Sequence, residues 1–239
     1  MISFWEWQTN QKHVKFRLVM VRGYSMSSTQ TRSLQVLDHP LVVHKLSILR
    51  AKDTPSYRFR QVLHELSWLL SYPTFAALKL GEVVIETPLE PMTTGQLIGP
   101  LPCLVSILRA GNGLIDGFSQ ICPEASVGHL GLYRDPLTHE PVSYYTSLPS
   151  DIAARQVILG DPMLATGGSA IMAVEQLRTI GVTDIVFACL VAAPEGVTAF
   201  HDSCPDVPVI TAALDRELNE QCYILPGLGD AGDRIYGTD

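Results

Sequence analysis

An apolar run at residues 157–159 leads through Gly160 into Asp161, then Pro162, Met163, Leu164, Ala165, Thr166, Gly167, Gly168 and Ser169, and a helical pattern follows. Each part suits phosphate chemistry. Asp161 puts a carboxylate where a strand ends. The turn formed by Thr166, Gly167, Gly168 and Ser169 has no bulky side chain, so its backbone N–H groups can close around an anion. The helix behind it aims its positive end at the same spot, and Thr166 and Ser169 add hydroxyl donors. No lysine follows the glycines, so this is not a Walker loop, and it is not G-x-G-x-x-G. A bare pair of glycines would be an ordinary bend; the whole strand–Asp–hydroxyl–Gly-Gly–helix context is a phosphate cradle.

A second candidate is Arg109, which follows an apolar run and precedes Ala110 and Gly111. Small neighbours let the backbone approach a ligand closely, and a guanidinium grips pyrophosphate with a planar fork. Arg134 follows another apolar run and stands before Asp135, Pro136, Leu137 and Thr138, a turn sequence. This is read as a mobile hairpin able to fold over a site, although Arg134 also fits a solvated charge. None of the seven histidines sits in a nucleophile motif, and no ligand spacing for a built-in metal is present.

These loops need elements to hold them. Residues 83–86, 104–108, 128–133, 157–159, 185–191 and 207–210 read as strands. Helical periods lie at 54–71, with Phe59, Val62, Leu63, Leu66, Leu69 and Leu70 on one face, at 169–180, and at 194–201. Alternation of helices with uniformly apolar strands predicts an α/β fold, a mainly parallel sheet with helices on both faces. Such sheets bind ligands at the C-terminal ends of their strands, where Arg109 and Asp161 fall.

The chain has 239 residues, 46% hydrophobic and 17% charged, which excludes a disordered chain. Its longest apolar run, 185–193, is far short of the about 20 residues that span a membrane, so no membrane role is expected. A net charge of −7 disfavours broad nucleic-acid binding, which needs a basic face. The five cysteines are scattered, with no C-x-x-C, and fit a reducing cytoplasm rather than a disulfide framework. Residues 1–35 show no amphipathic period and no signal-peptide core. They read as a flexible extension, with Met26 as an alternative start, ahead of a domain at 36–239.

The loop from Asp161 to Ser169 resembles the phosphoribosyl-pyrophosphate (PRPP) motif of the type I phosphoribosyltransferases. Most of that family carries two adjacent acids. Pro162 in place of the second is the variant of the uracil phosphoribosyltransferases. Further matching segments are 39–42, 107–111, 131–134 with 140–142, 191–196 and 223–234, in family order. The resemblance spans about residue 36 to 238.

This resemblance implies a type I phosphoribosyltransferase-like fold with a C-terminal hood and a mobile hairpin. It implies transfer of the 5-phosphoribosyl group from PRPP to N1 of uracil, giving UMP and pyrophosphate in pyrimidine salvage. PRPP contacts are then expected from Arg109, Arg134, Asp161, Pro162, Met163, Leu164, Ala165, Thr166, Gly167, Gly168, Ser169 and Asp230. Uracil contacts are expected from Ile224, Gly229, Asp230 and Ala231, with Arg109 and Asp230 catalytic. Mg²⁺ is expected to arrive on the pyrophosphate oxygens. A GTP effector and a homodimer or tetramer are implied as well, and Arg50, Lys52, Arg58 and Arg60 around the 54–71 helix are either an interface or effector site or a solvated basic face.

By composition alone the glycine-rich C-terminal segment is a flexible tail; the resemblance makes it the hood that reads uracil with backbone groups. Two other readings are weaker. An RNA-binding regulatory relative is expected to carry paired acids and a basic face. A phosphoribosyltransferase for another base, such as hypoxanthine, does not fit the 227–233 hood run.

Overall fold

A computed structural model describes residues 33–134 and 141–238; the expected extension, apart from its last three residues, and the hairpin turn at 135–140 lie outside the described residues. The chain opens with β1 (Leu34–Val36), α1 (Pro40–Arg50), α2 (Ser56–Thr74), β2 (Leu80–Glu86) and β3 (Pro91–Leu97). Then follow β4 (Cys103–Leu108), α3 (Asn112–Ile121), β5 (Ser126–Arg134), β6 (Pro141–Ser147), β7 (Val157–Gly160) and β8 (Met163–Leu164). The last third comprises α4 (Gly168–Thr179), β9 (Ile185–Ala192), α5 (Pro194–Ser203), β10 (Val209–Leu214), β11 (Glu217–Leu218), β12 (Ile224–Leu225) and α6 (Ala231–Tyr236).

The main sheet has the order β1-β10-β9-β7-β4-β5-β6, with β8 added beside β9. Its pairs are parallel except β5 with β6. This is the α/β sheet expected from the apolar runs. Burial on both faces explains why β9 is apolar at every position: all eight of its residues are buried. On one side Val186, Ala188 and Leu190 join a core with α1, α2 and α3, including Leu46, Phe59, Leu66 and Phe118. On the other, Ile185, Phe187 and Cys189 pack with Val174 and Leu177 of α4 and Phe200 of α5. From β4 the chain moves to β5 on one side, whereas from β7 it moves to β9 on the other. The winding of the chain therefore reverses between the parallel neighbours β4 and β7, the place where open α/β sheets hold ligands.

Several elements escaped the sequence reading. Leu34 and Gln35, expected in the extension, pair with Val209 and Ile210 as an edge strand. In α1, His39 caps the helix through its Nδ1, which accepts from the Leu41 amide at 3.2 Å, and Pro40 follows in the first turn. α2 continues beyond Ser71 to Thr74, with Pro73 inside its last turn. α3 looks like a loop because of Gly113 and Gly117, yet these glycines seat it on α2. A Cβ on them would lie 2.4 Å from Leu63 Cδ2 and 2.3 Å from Ser67 Cβ.

Residues 79–99 form a separate unit. Here 83–86, expected within the parallel sheet, instead pairs antiparallel with β3 as a two-stranded hairpin. Val84, Ile85, Leu89 and Met92 are exposed on it. No helix among the described residues is long and apolar enough to cross a membrane.

Candidate active site

Asp161 stands where the fully buried β7 ends. Its N–H donates to the Ala188 carbonyl at 3.2 Å, and its Oδ1 accepts from the Met163 amide at 3.3 Å. The next residues form a rail along β9: the Pro162 carbonyl accepts from the Leu190 and Val191 amides, and that of Leu164 from Ala193. The run 161–169 thus divides in two. Pro162 and Leu164 are buried and fix the path, while Thr166 and Ser169 stand exposed. Gly167 turns the chain with φ 83° and caps α4 without a side-chain hydrogen bond. The Gly168 amide reaches back to the Thr166 hydroxyl at 3.5 Å, and the amides after it keep their dipoles for an anion.

The rail has a second support in the 191–196 segment. The N-terminus of α5 lies so close to the loop that a Cβ on Gly196 would come within 2.1 Å of the Ala165 carbonyl oxygen. Beside it Glu195 accepts from the Leu218 amide at 3.1 Å, which ties the β11–β12 hairpin to the same turn.

Arg109 follows the buried strand β4 and is exposed; the Leu108–Arg109 peptide bond is cis. Gly111 presses this turn onto the end of β7, for a Cβ there would sit 2.5 Å from the Gly160 carbonyl oxygen. The Arg109 and Asp161 loops are therefore neighbours at one sheet edge. Behind them Ser106 donates to Asn112 Oδ1 at 2.7 Å and secures the start of α3.

The C-terminal segment is not the tail that its glycines suggest. Ile224, Leu228, Ala231 and Ile235 are buried in the core shared with α1, α2 and α3. Charged side chains staple it down. Arg50 forks onto both oxygens of Asp215, at 2.8 and 2.5 Å, and also donates to the Gly227 carbonyl. Asp215 accepts from the Gly227 amide at 3.0 Å. Arg234 lies over the Phe59 ring, 4.6 Å from its centroid, and donates to the carbonyls of Leu49, Ala51 and Leu228. Arg60 donates to the Ile235 carbonyl. Arg50 and Arg60, read from sequence as part of a possible basic face, are thus committed to holding the hood.

Asp230 caps α6: its Oδ1 accepts from the Asp233 amide at 3.0 Å, and the side chain is exposed. At the other end of the helix the Tyr236 hydroxyl donates to the Arg109 carbonyl at 2.9 Å. Asp161 and Asp230 lie within electrostatic reach of each other. Enclosure by protein, and secondarily the Asp230 charge, push the Asp161 carboxyl up to about 7 against the opposing pull of the Met163 amide.

The structure thus gathers Arg109, Asp161, Thr166, Ser169 and Asp230 around one edge, with Ile224 and Ala231 buried and Gly229 exposed in the hood. Arg134 ends β5 opposite Pro141, and the hairpin turn beyond it is outside the described residues. Sequence reading had no role for Gly196, Asp215 or Tyr236. Of these only Gly196 carried a signal, as the last residue of the family-like segment 191–196.

A family model described as uracil phosphoribosyltransferase matches residues 36–238. A uracil phosphoribosyltransferase of Acidovorax sp. (strain JS42) is 54% identical over 206 residues, which is 86% of this chain and 99% of that protein. The solved structure of the AQ2163 protein from Aquifex aeolicus superposes with a TM-score of 0.78 at 34% identity, covering 85% of this chain and 97% of that one. An adenine phosphoribosyltransferase from Trypanosoma brucei shares the fold, with a TM-score of 0.51 at 15% identity over 83% of this chain and 91% of that one.

Two outcomes follow from the geometry. Gly196→Ala is expected to push α5 and the 165–169 loop apart at a cost of about 1–3 kcal/mol. Thermal unfolding, together with faster hydrogen exchange confined to the loop amides, checks it. The raised Asp161 carboxyl favours the folded protein most below pH 4, and that advantage drains away as the pH climbs from about 4 to about 7. Asp161→Asn, which mimics the protonated acid, is therefore expected to melt higher than the parent protein at pH 8. The gap has a ceiling of about 4 kcal/mol and closes toward pH 4, and melting curves across that range measure it.

Proposed function

The chain belongs to the uracil phosphoribosyltransferase family, and from that premise we infer how its residues divide the work. The enzyme transfers the 5-phosphoribosyl group of PRPP to N1 of uracil, giving UMP and pyrophosphate, a reaction of pyrimidine salvage. One observation carries the assignment of roles: the Arg109 turn, the 161–169 loop and the hood meet at the edge where the winding order reverses between β4 and β7.

The reaction needs C1′ of the ribose to part from pyrophosphate and accept the base, through an oxocarbenium-like transition state. Little covalent help from the protein is required, so positioning and charge stabilisation do most of the work. Residues 165–169 hold the 5′-phosphate with the amides of α4 and the hydroxyls of Thr166 and Ser169, on the path set by Pro162, Met163 and Leu164. Asp161 accepts from the ribose hydroxyls. Arg109, with Arg134 from the hairpin, steadies the leaving pyrophosphate. Asp230, whose Oδ1 is spent on capping, has its other oxygen to offer the substrates and aligns them. Ile224, Gly229, Asp230 and Ala231 frame uracil, where the hood's backbone groups match its ring donors and acceptors. Closure of the hairpin and hood keeps water from PRPP.

Mg²⁺ belongs to the substrate, carried on the pyrophosphate oxygens, where it offsets negative charge. Asp161 and Asp230 fit such a cargo, because two carboxylates that repel each other favour a cation-bearing ligand. A homodimer or tetramer is supported by the 79–99 hairpin, since a lone two-stranded hairpin is marginal in water and this one exposes apolar side chains. Lys52 and Arg58, which are not committed to the hood, are our candidates for contact with a GTP effector. Free cysteines at 103, 122, 189, 204 and 222 support a cytoplasmic setting, and the charge of −7 supports no nucleic-acid partner.

A panel of bases tests the reading. Incubated with PRPP and Mg²⁺, the enzyme is expected to consume uracil and to leave cytosine and hypoxanthine untouched, and turnover of hypoxanthine in place of uracil overturns it. Thr166→Val removes one hydroxyl from the phosphate loop at nearly constant shape. A hydrogen bond to a charged group contributes roughly 1.5–3 kcal/mol, so the KM for PRPP is expected to rise about ten- to hundredfold. The KM for uracil should change much less, and steady-state kinetics in both substrates measures the split.

A further inference from the structure

The Arg109 side chain forms no ion pair among the described residues, and it is exposed. A long, mobile cation is poorly prepared to grip a ligand, because fixing its rotamers on binding costs free energy. A carboxylate beside it would fix it, but would also neutralise the charge that pyrophosphate needs. Tyr236 avoids both problems. Its hydroxyl donates to the Arg109 carbonyl at 2.9 Å, and its ring lies under the guanidinium, 5.6 Å from Cζ to the centroid. A ring face attracts a cation without cancelling it.

Tyr236 is itself held. Arg60 binds the carbonyl of the preceding Ile235, Arg234 anchors α6 to the end of α1, and Gly237 closes the helix with φ 68°. The same six-residue helix begins at the Asp230 cap. Its two ends thus face the two halves of the reaction, the base at one and the pyrophosphate turn at the other.

We propose that Tyr236 is a positioning residue that presets Arg109 for the pyrophosphate of PRPP and links that turn rigidly to the base hood. The proposal rests on the reading of Arg109 as the pyrophosphate-binding arginine. Because Tyr236 is partly exposed, at 42%, its replacement should disturb the core little.

The test compares Tyr236→Phe, which keeps the ring and loses the hydroxyl, with Tyr236→Leu, which loses both. Binding of Mg²⁺–pyrophosphate is measured by calorimetry, alongside KM and kcat for each substrate and the melting temperature. Tyr236→Phe is expected to weaken pyrophosphate binding and raise the KM for PRPP about three- to tenfold, the effect of one hydrogen bond. Tyr236→Leu is expected to weaken both further, with melting temperature and KM for uracil near those of the parent. In an Arg109→Ala background the Tyr236 substitutions should have no further effect on pyrophosphate binding, since no guanidinium remains to position. Unchanged pyrophosphate binding in both single variants, or an equal loss with and without the Arg109 side chain, overturns the proposal. If Arg109→Ala alone leaves pyrophosphate binding intact, the fault lies in the reading of Arg109, and the proposal falls with it. A parent enzyme that binds pyrophosphate but makes no UMP sinks the functional assignment and leaves the Tyr236 result standing.

Discussion

The order of the C-terminal segment starts from a single carboxylate. Asp215 sits at the C-terminal end of β10, nearly buried, and accepts three hydrogen bonds: two from the Arg50 fork and one from the Gly227 amide. The same guanidinium takes the Gly227 carbonyl. The N–H and the C=O of one hood residue, Gly227, are thus both gripped by an ion pair rooted in α1 and β10. A buried pair of this kind adds little net stability over an apolar substitute, but loss of one partner strands a charge. Its contribution is geometric. It fixes where the hood starts, and Arg234 and Arg60 then set the pitch of α6, so a segment rich in glycine holds a defined shape.

The phosphate side follows a different logic, that of close approach. Gly111 and Gly196 let two turns touch carbonyl oxygens of neighbouring loops, so the Arg109 turn, the Asp161 strand end and the N-terminus of α5 are stacked with no side chain between them. The backbone there is rigid because it is crowded. Asp161 bears the cost of that crowding: enclosure raises its carboxyl to about 7, and an acid more comfortable without its charge sits at the strand end proposed to accept from ribose hydroxyls. In that proposed role, stability and substrate affinity pull in opposite directions at this one residue.

Much of this was legible beforehand. Strands buried on both faces announce themselves as unbroken apolar runs, so β4, β7 and β9 were plain, and with them the residues at their ends. The phosphate loop was legible because its chemistry is local, with Asp161, Thr166 and Ser169 within nine residues. What stayed hidden was either weak in period or distant in sequence. α3 packs through glycines, which carry no hydrophobic signal. The hood looked loose because its order comes from Arg50 and Arg60, 165 and more residues away. Tyr236 had no signal at all, since its partner is a backbone carbonyl 127 residues upstream.

Those separations also set a schedule for assembly. The Arg50–Asp215 link spans 165 residues, Arg60 to Ile235 spans 175, and Arg234 to Leu49 spans 185. β4, β7, β9 and the phosphate loop need only the chain up to about residue 200, and their pairings close shorter loops. On a ribosome, which delivers the chain from its N-terminus, α1 and α2 must wait with Arg50 and Arg60 unsatisfied until the last stretch emerges. The half proposed to grip phosphate is thus complete in outline before the half proposed to choose the base exists, and discrimination between bases would be the last property that the nascent enzyme acquires.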